Sequence, residues 1–249
     1  MPLLGDEGHQ EMVENLKDIE TKIKKPSAII VISAHWEEEI VTITSGANPS
    51  LIYDYYGFPE ESYAIEYPCL GEPSLADQVF LLLSNGGIEV RKDKRRGFDH
   101  GLFVPLKIMY PEADIPCIQL SLVQSLSPVE HLKIGKALSG VNYDDLLIVG
   151  SGFSFHNMKA FFTTETSESK AMNEAFEKWL IDTCSNPSIE EEERTQRLSN
   201  WEQAPFARYC HPREEHLLPL HICYGFAQTA CNEYFKLNII NKQSSAYLW

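Results

Sequence analysis

An α/β domain with a central mixed, largely parallel sheet flanked by helices on both faces is what this sequence predicts, and three observations carry the prediction. Ala28-Ile29-Ile30-Val31-Ile32 is an uninterrupted apolar run, the pattern of a strand buried on both faces. Segments with helical spacing of apolar residues alternate along the chain with short strand-like runs. Finally, 249 residues, 43% hydrophobic and 23% charged, have the size and balance of one soluble domain with a substantial core.

From His9 to Lys25, Met12, Leu16, Ile19 and Ile23 recur at helical spacing, so an amphipathic helix packed on the sheet is expected there. Pro26-Ser27 leads into the apolar strand that ends at His35. Val41-Thr42-Ile43 reads as a second strand, and Pro73 to Leu83 as a helix stopped by Asn85-Gly86-Gly87. Ile88-Glu89-Val90 resumes strand character, and Ile115 to Val123 forms another strand. Ser127 caps a helix from Pro128 to Leu138, and Leu146 to Val149 is a strand ending at Gly150. Lys170 to Cys184 reads as a helix with Met172, Phe176, Trp179 and Leu180 on its apolar side. Glu190 to Glu193 is read as a solvated helix end rather than a cation site. The tail over 239–249 is expected either as a final strand or as a loose end.

Lys and Arg number 21 against 36 Asp and Glu, a net charge of −15 that repels phosphate backbones and anionic membranes. Small molecules are the expected partners, with no nucleic acid and no membrane, and the oligomeric state stays open. No apolar run approaches the roughly 20 residues that span a bilayer, and the N-terminus does not read as a secretory signal. The six cysteines lack any Cys-x-x-Cys pair, so free thiols in a reducing compartment, and a cytoplasmic location, are expected.

Four of the eight histidines stand at strand ends or in glycine-rich turns, where rigid elements hold a metal or acid–base site. His35 closes Ser33-Ala34-His35-Trp36, His100 lies in Gly97-Phe98-Asp99-His100-Gly101, and His156 ends Gly150-Ser151-Gly152-Phe153-Ser154-Phe155-His156. His216 follows Pro212-Arg213-Glu214-Glu215, where Pro212 starts an expected helix and the glutamates suit its dipole. Each has a plainer reading as a hydrogen-bonded structural residue, favoured outright for His131 and His221. His216 and His221 stand five residues apart and so miss the spacing of zinc-protease helices. No Gly-x-Ser-x-Gly elbow, phosphate-binding loop or dinucleotide Gly-x-Gly-x-x-Gly occurs. Gly57-Phe58-Pro59 with Tyr53, Tyr55, Tyr56 and Tyr63 either lines an aromatic pocket or packs a loop onto the sheet.

Several of these strings occur together with Tyr67-Pro68, Gly71, Tyr110-Pro111-x-Ala113-Asp114-Ile115-Pro116, and Trp201-x-x-Ala204-Pro205 followed by Pro212 to Leu220. In this order, from about Met1 to Gly225, they resemble the class III extradiol ring-cleavage dioxygenases, in the branch called DOPA 4,5-dioxygenases. The resemblance implies an α/β fold with a mononuclear non-haem metal at the strand ends. It implies cleavage of a catechol-type diol, DOPA or a related phenolic, with insertion of both atoms of O2. By position, His35 and His216 match metal ligands, and His156 matches a further ligand or acid–base group. His100 matches a catalytic and substrate-pocket histidine, with Asp99 beside it as a substrate contact. One divalent metal is implied, Fe(II) for catalysis, with Zn(II) able to bind such a site.

The family pattern also has an initial strand and a first metal histidine in a His-Gly-x-x-Pro turn, upstream of the segment matching Met1 to Gly5. The expectation is one extradiol dioxygenase-like catalytic domain over 1–249 without that first strand. Either the strand and its ligand lie outside this sequence, or His35 and His216 are supplemented from elsewhere, with His9 and Glu215 as the candidates. Two other functions compete: a non-catalytic binding protein on the same scaffold, and a zinc-dependent hydrolase.

Overall fold

The computed structural model describes residues 2–249. In chain order, α1 (Gln10–Lys22) precedes β1 (Ala28–Glu38), β2 (Val41–Thr44) and the two-residue β3 (Leu51–Ile52). Then come α2 (Pro73–Asn85), β4 (Val90–Asp93), the equally short β5 (Phe98–Asp99) and α3 (His100–Met109). β6 (Cys117–Val123), α4 (Pro128–Leu138), β7 (Leu146–Ser151) and α5 (Met158–Phe161) follow. Last are α6 (Ser167–Ser185), α7 (Glu191–Ser199), α8 (Ala207–Cys210), α9 (Leu218–Ala227), β8 (Glu233–Ile239) and β9 (Lys242–Leu248).

The central sheet has the order β4-β2-β6-β1-β7. β6, β1 and β7 run parallel, while β2 lies antiparallel to β6 and carries β4 parallel to itself. The expected mixed α/β sheet is therefore present, with the apolar run of β1 inside it. Its side chains alternate between two cores, as the two-residue period of a strand requires. Ile30 and Ile32 pack with α2, α4 and α9, whereas Ile29 and Val31 pack with α3 and the apolar side of α1. A third core joins Phe176 and Leu180 of α6 to Trp201, Leu217 and Phe155.

Several boundaries differ from the sequence reading. The strand expected at Ile88 begins at Val90, because Ile88 donates its backbone N–H to Leu83 in the turn that ends α2. β6 starts at Cys117 rather than Ile115. The helix expected from Pro212 does not form: Leu217 and Leu218 both donate to the Glu214 carbonyl in a turn, and α9 starts only at Leu218, with a proline in its first turn. Glu214 and Glu215 are thus not first-turn carboxylates of a helix.

Of the two alternatives for the tail, the strand is realised. β9 pairs with β8 from Lys242 to Leu248, and the hairpin is stitched to α6 by Asn173, which exchanges hydrogen bonds with Gln243. Ser245 donates its backbone N–H to Ser154 Oγ (2.7 Å) and its hydroxyl to Glu177 Oε2 (2.6 Å).

Glu177 is fully buried and its other oxygen has no hydrogen-bond partner, so burial pushes its carboxyl up to about 7. The linkage sign follows from the raised value. Between about pH 4.5 and 7 the unfolded chain releases a proton that the folded one keeps, so this group costs stability progressively as pH rises and none below that window. The full cost above pH 7 is about 3 kcal/mol. Glu177→Gln, which keeps an acceptor for Ser245, is expected to melt higher than the parent at pH 8 and equally at pH 4. Melting curves of the two proteins across that range, compared as a difference, cancel the titration of every other group. A difference independent of pH would contradict the assignment.

Candidate metal and catalytic site

Backbone close approaches bring the histidines together. β1 breaks register with β6 between Ile32 and Glu37 while Ser33 stays paired with Ser151 of β7, so His35 stands at an irregular strand end. Beneath it lies Gly101, where a Cβ would sit 2.3 Å from Ser33 Oγ and 3.2 Å from His35 Cδ2. Only glycine lets the start of α3 approach so closely. The loop after β7 turns at Gly152, whose Cβ would meet the His216 carbonyl oxygen at 2.2 Å, and Phe153 donates its backbone N–H to that oxygen. His156 donates its backbone N–H to the Cys210 carbonyl, and Asn157 caps α5.

The outcome is a line of four rings. His35 lies 3.9 Å from His100 and 4.9 Å from His216 by ring centroid, and His216 stacks on His156 at 3.4 Å. Two carboxylates complete two groups that could hold a metal ion, His35-Asp54-His100 and His156-Glu215-His216, each with ligand atoms within 4.8 Å of one another. His35, His216 and His156, the set matched by position, straddle the two groups. The site also fits a metal chemically. His216 Nδ1 is buried with no hydrogen-bond partner, an arrangement that wastes a polar atom unless a ligand meets it. Burial, reinforced by His100, lowers His35 to about 4, and burial with the neighbouring imidazoles pushes His216 well below its ordinary value. Both rings are therefore neutral at pH 7 and offer lone pairs.

The carboxylates orient their histidines. Asp54 Oδ1 lies 2.8 Å from His100 Nδ1 and also accepts the His100 backbone N–H. Burial raises the Asp54 carboxyl, but the side-chain and backbone hydrogen bonds and the attraction to His100 together outweigh it and the net direction is down. Glu215 Oε1 lies 3.3 Å from His156 Nδ1, and Arg213 bridges Glu215 to Glu37. Glu215 is likewise held low by His156 against the opposing effect of burial. A carboxylate at Nδ1 fixes the tautomer that leaves Nε2 free. Sequence reasoning missed Asp54; it named Glu215 as a candidate ligand while reading it as a helix-start carboxylate.

Asp99 has a structural role in the fold. It is fully buried and accepts from Ser33 Oγ, the Gly101 backbone and Arg96 Nη2, so it caps α3 and ties it to β1. His131 and His221 are structural, as expected: His221 sets its two nitrogens against the carbonyls of Leu217 and Leu198, and His131 bridges Ser127 and Val123. His211 is a further buried structural histidine, with Nε2 2.6 Å from the Ser154 carbonyl. His9 lies 3.1 Å from Asp6. The tyrosine segment divides between its two readings: Tyr55 and Phe58 line the cavity at His35, His100 and His216, whereas Tyr53 packs on Phe103 and bonds the Ile65 carbonyl. The six cysteines are free thiols, and no helix among the described residues is long and apolar enough to cross a membrane.

Residues 5–247 match the model of the catalytic LigB subunit of aromatic ring-opening dioxygenase. The chain is 39% identical over 241 residues to dioxygenase tasH of Hapsidospora irregularis, covering 91% of this chain and 74% of that protein. It is 41% identical over 207 residues to a 4,5-DOPA dioxygenase extradiol of Beta vulgaris, covering 82% and 74%. The crystal structure of an uncharacterized protein from Escherichia coli K12 superposes with a TM-score of 0.72 at 25% identity, covering 95% of this chain and 92% of that one. With its histidine line at the strand ends and these relatives, the chain belongs to the aromatic ring-opening dioxygenase family and is an extradiol ring-cleaving enzyme.

Proposed function

We propose that the enzyme opens a catechol-type ring next to its diol, inserting both atoms of O2, at a mononuclear divalent metal held by His35, His216 and His156. The observation that carries this reading is the buried, unpartnered Nδ1 of His216 between two other imidazoles. A bound divalent metal, Fe(II) for catalysis, would gather the diol and O2 and pass charge between them, while Zn(II) would occupy the same donors. His156, its Nδ1 proton held by Glu215, presents Nε2 as a further ligand or as the base for the second diol proton. His100, oriented by Asp54, faces the cavity and positions the substrate. No outside reductant is needed, because both oxygen atoms leave in the product.

Two supporting observations concern context. Buried free thiols suit a reducing compartment, and the cytoplasm is the proposed location. The outer edge of β7 pairs with no strand among the described residues. Beside it a cavity of about 330 Å³ lined by Leu16, Leu147, Val149 and Trp249 reaches His216, which supports the family-derived expectation of one more strand there.

The test is oxygen uptake by Fe(II)-loaded protein with a catechol, read together with formation of a yellow ring-opened product. His35→Ala and His156→Ala are expected to abolish it, and unchanged uptake in both would overturn the proposal. Asp54→Ala, which frees the His100 ring, is expected to cost about 10–100-fold in turnover, the usual effect of removing a partner that orients such a histidine. A zinc hydrolase would instead cleave an ester or amide without oxygen, and a pure binder would consume none.

A further inference from the structure

Glu37, two residues after His35, meets Arg213, three residues before His216. Arg213 Nη1 and Nη2 donate to Glu37 Oε1 and Oε2 at 2.5 and 2.6 Å, the parallel fork that a guanidinium makes with a carboxylate. The same Nη1 lies 3.3 Å from Glu215 Oε2, and Glu215 Oε1 lies 3.3 Å from His156 Nδ1. One side chain therefore joins the strand end of His35 to the turn of His216 and, through Glu215, to His156.

Ion pairs at a protein surface add little to stability, and Arg213 is half exposed, so the pair has small weight as a stabiliser. Its placement gives it another use. β1 leaves its regular pairing with β6 between Ile32 and Glu37, so no continuous ladder to β6 fixes the stretch that carries His35. The segment before α9 is a turn, held to the rest of the site by the bond from Phe153 to the His216 carbonyl. Among the described residues, the two bonds of Arg213 to Glu37 are the only hydrogen bonds between β1 and residues 212–217. Without them His35 and His216 are attached to separate parts of the fold.

Resting on the dioxygenase reading, we propose that Arg213, locked by Glu37, is a positioning residue of the metal site: it sets the separation of His35 and His216 and, through Glu215, the orientation of His156. The fork is essential to this role. A lysine ammonium is a point charge on a flexible stem and cannot hold two parallel bonds while facing a second carboxylate.

Calorimetric titration of the metal-free protein with Zn(II), beside melting curves, is the test. Glu37→Gln, nearly unchanged in shape, and Arg213→Gln should each weaken Zn(II) binding by about 10–100-fold, the usual effect of removing a group that orients metal ligands. Their melting temperatures should move by at most about 4 °C, as for a surface pair. The double variant should lose no more than Arg213→Gln alone, because both changes break one contact. Arg213→Lys, which keeps the charge and loses the fork, should still bind about tenfold more weakly. Arg197→Gln removes an arginine of α7 that is similarly bonded to Asp182 and Glu193, and it should bind Zn(II) as the parent does. Parental affinity in Glu37→Gln, Arg213→Gln or Arg213→Lys, a further loss in the double variant, or an equal loss in Arg197→Gln overturns the proposal. A parent that binds no Zn(II) overturns the three-histidine metal set and this role with it. If the variants bind more weakly as expected but the Fe(II)-loaded parent consumes no oxygen with a catechol, the dioxygenase reading fails while the positioning role stands.

Discussion

His216→Ala is expected to abolish ring opening, by about a thousand-fold or more, while leaving the metal-free protein nearly as stable as the parent. The two halves have one cause. The ring is buried, stacked on His156 at 3.4 Å, with the Phe153 ring nearly parallel to it at 5.9 Å. Its Nδ1 has no partner, which costs a folded protein about 1–3 kcal/mol. Removing the ring returns that cost and forfeits packing of similar size, so the two offset. What is lost outright is a neutral imidazole that neighbours both the His35 and His156 rings. Loss of an outer partner costs about 10–100-fold, and loss of a direct ligand costs more. Thermal melting with and without added divalent metal checks this, since a ligand bound at a hundred times its dissociation constant stabilises by about 2.7 kcal/mol. The parent should gain in melting temperature on metal addition and the variant should not. A variant that keeps both the metal-induced gain and its oxygen uptake would exclude His216 as a ligand.

How much of this site was legible depends on the range of the forces that build it. His35 was legible because β1 is buried on both faces, which forces a continuous apolar run whose end is visible in the sequence. His156 was legible because a glycine-rich turn marks a backbone that must pass close to something, and Gly152 does pass against the His216 carbonyl. Asp54 was not. It reaches His100 because β3 pairs with β5, Leu51 with Phe98 and Ile52 with Asp99, and two-residue strands leave no periodicity to read. Glu215 was misread because proline followed by two glutamates is what a helix start looks like locally. The turn at Glu214 and the salt bridge of Arg213 to Glu37, 176 residues away, decide otherwise. The cap at Asp99 was overlooked: an aspartate just before a helix is an N-cap, and Asp99 accepts from the Gly101 backbone at the start of α3.

Gly135→Ala is expected to destabilise the fold by about 2–3 kcal/mol, although the same change in an exposed helix would add stability. Gly135 of α4 faces α9 so closely that a Cβ would stand 2.1 Å from the Ile222 carbonyl oxygen and 2.9 Å from Gly225 Cα. The relation is mutual, since a Cβ on Gly225 would meet the Leu132 carbonyl oxygen at 2.4 Å. These obstacles are backbone atoms, so no rotamer change relieves them and the helices must part. α9 begins two residues after His216, and its displacement would draw that ring away from His35. Turnover should therefore fall, and the melting temperature should drop by roughly 4–12 °C at about 2–4 °C per kcal/mol for a chain of this size. Gly140→Ala is the matched control, because its nearest neighbour is the movable end of Leu82 at 3.0 Å. It should melt within a degree or two of the parent. If Gly135→Ala proved as stable and as active as that control, the packing of α9 on α4 would not be what sets the position of His216.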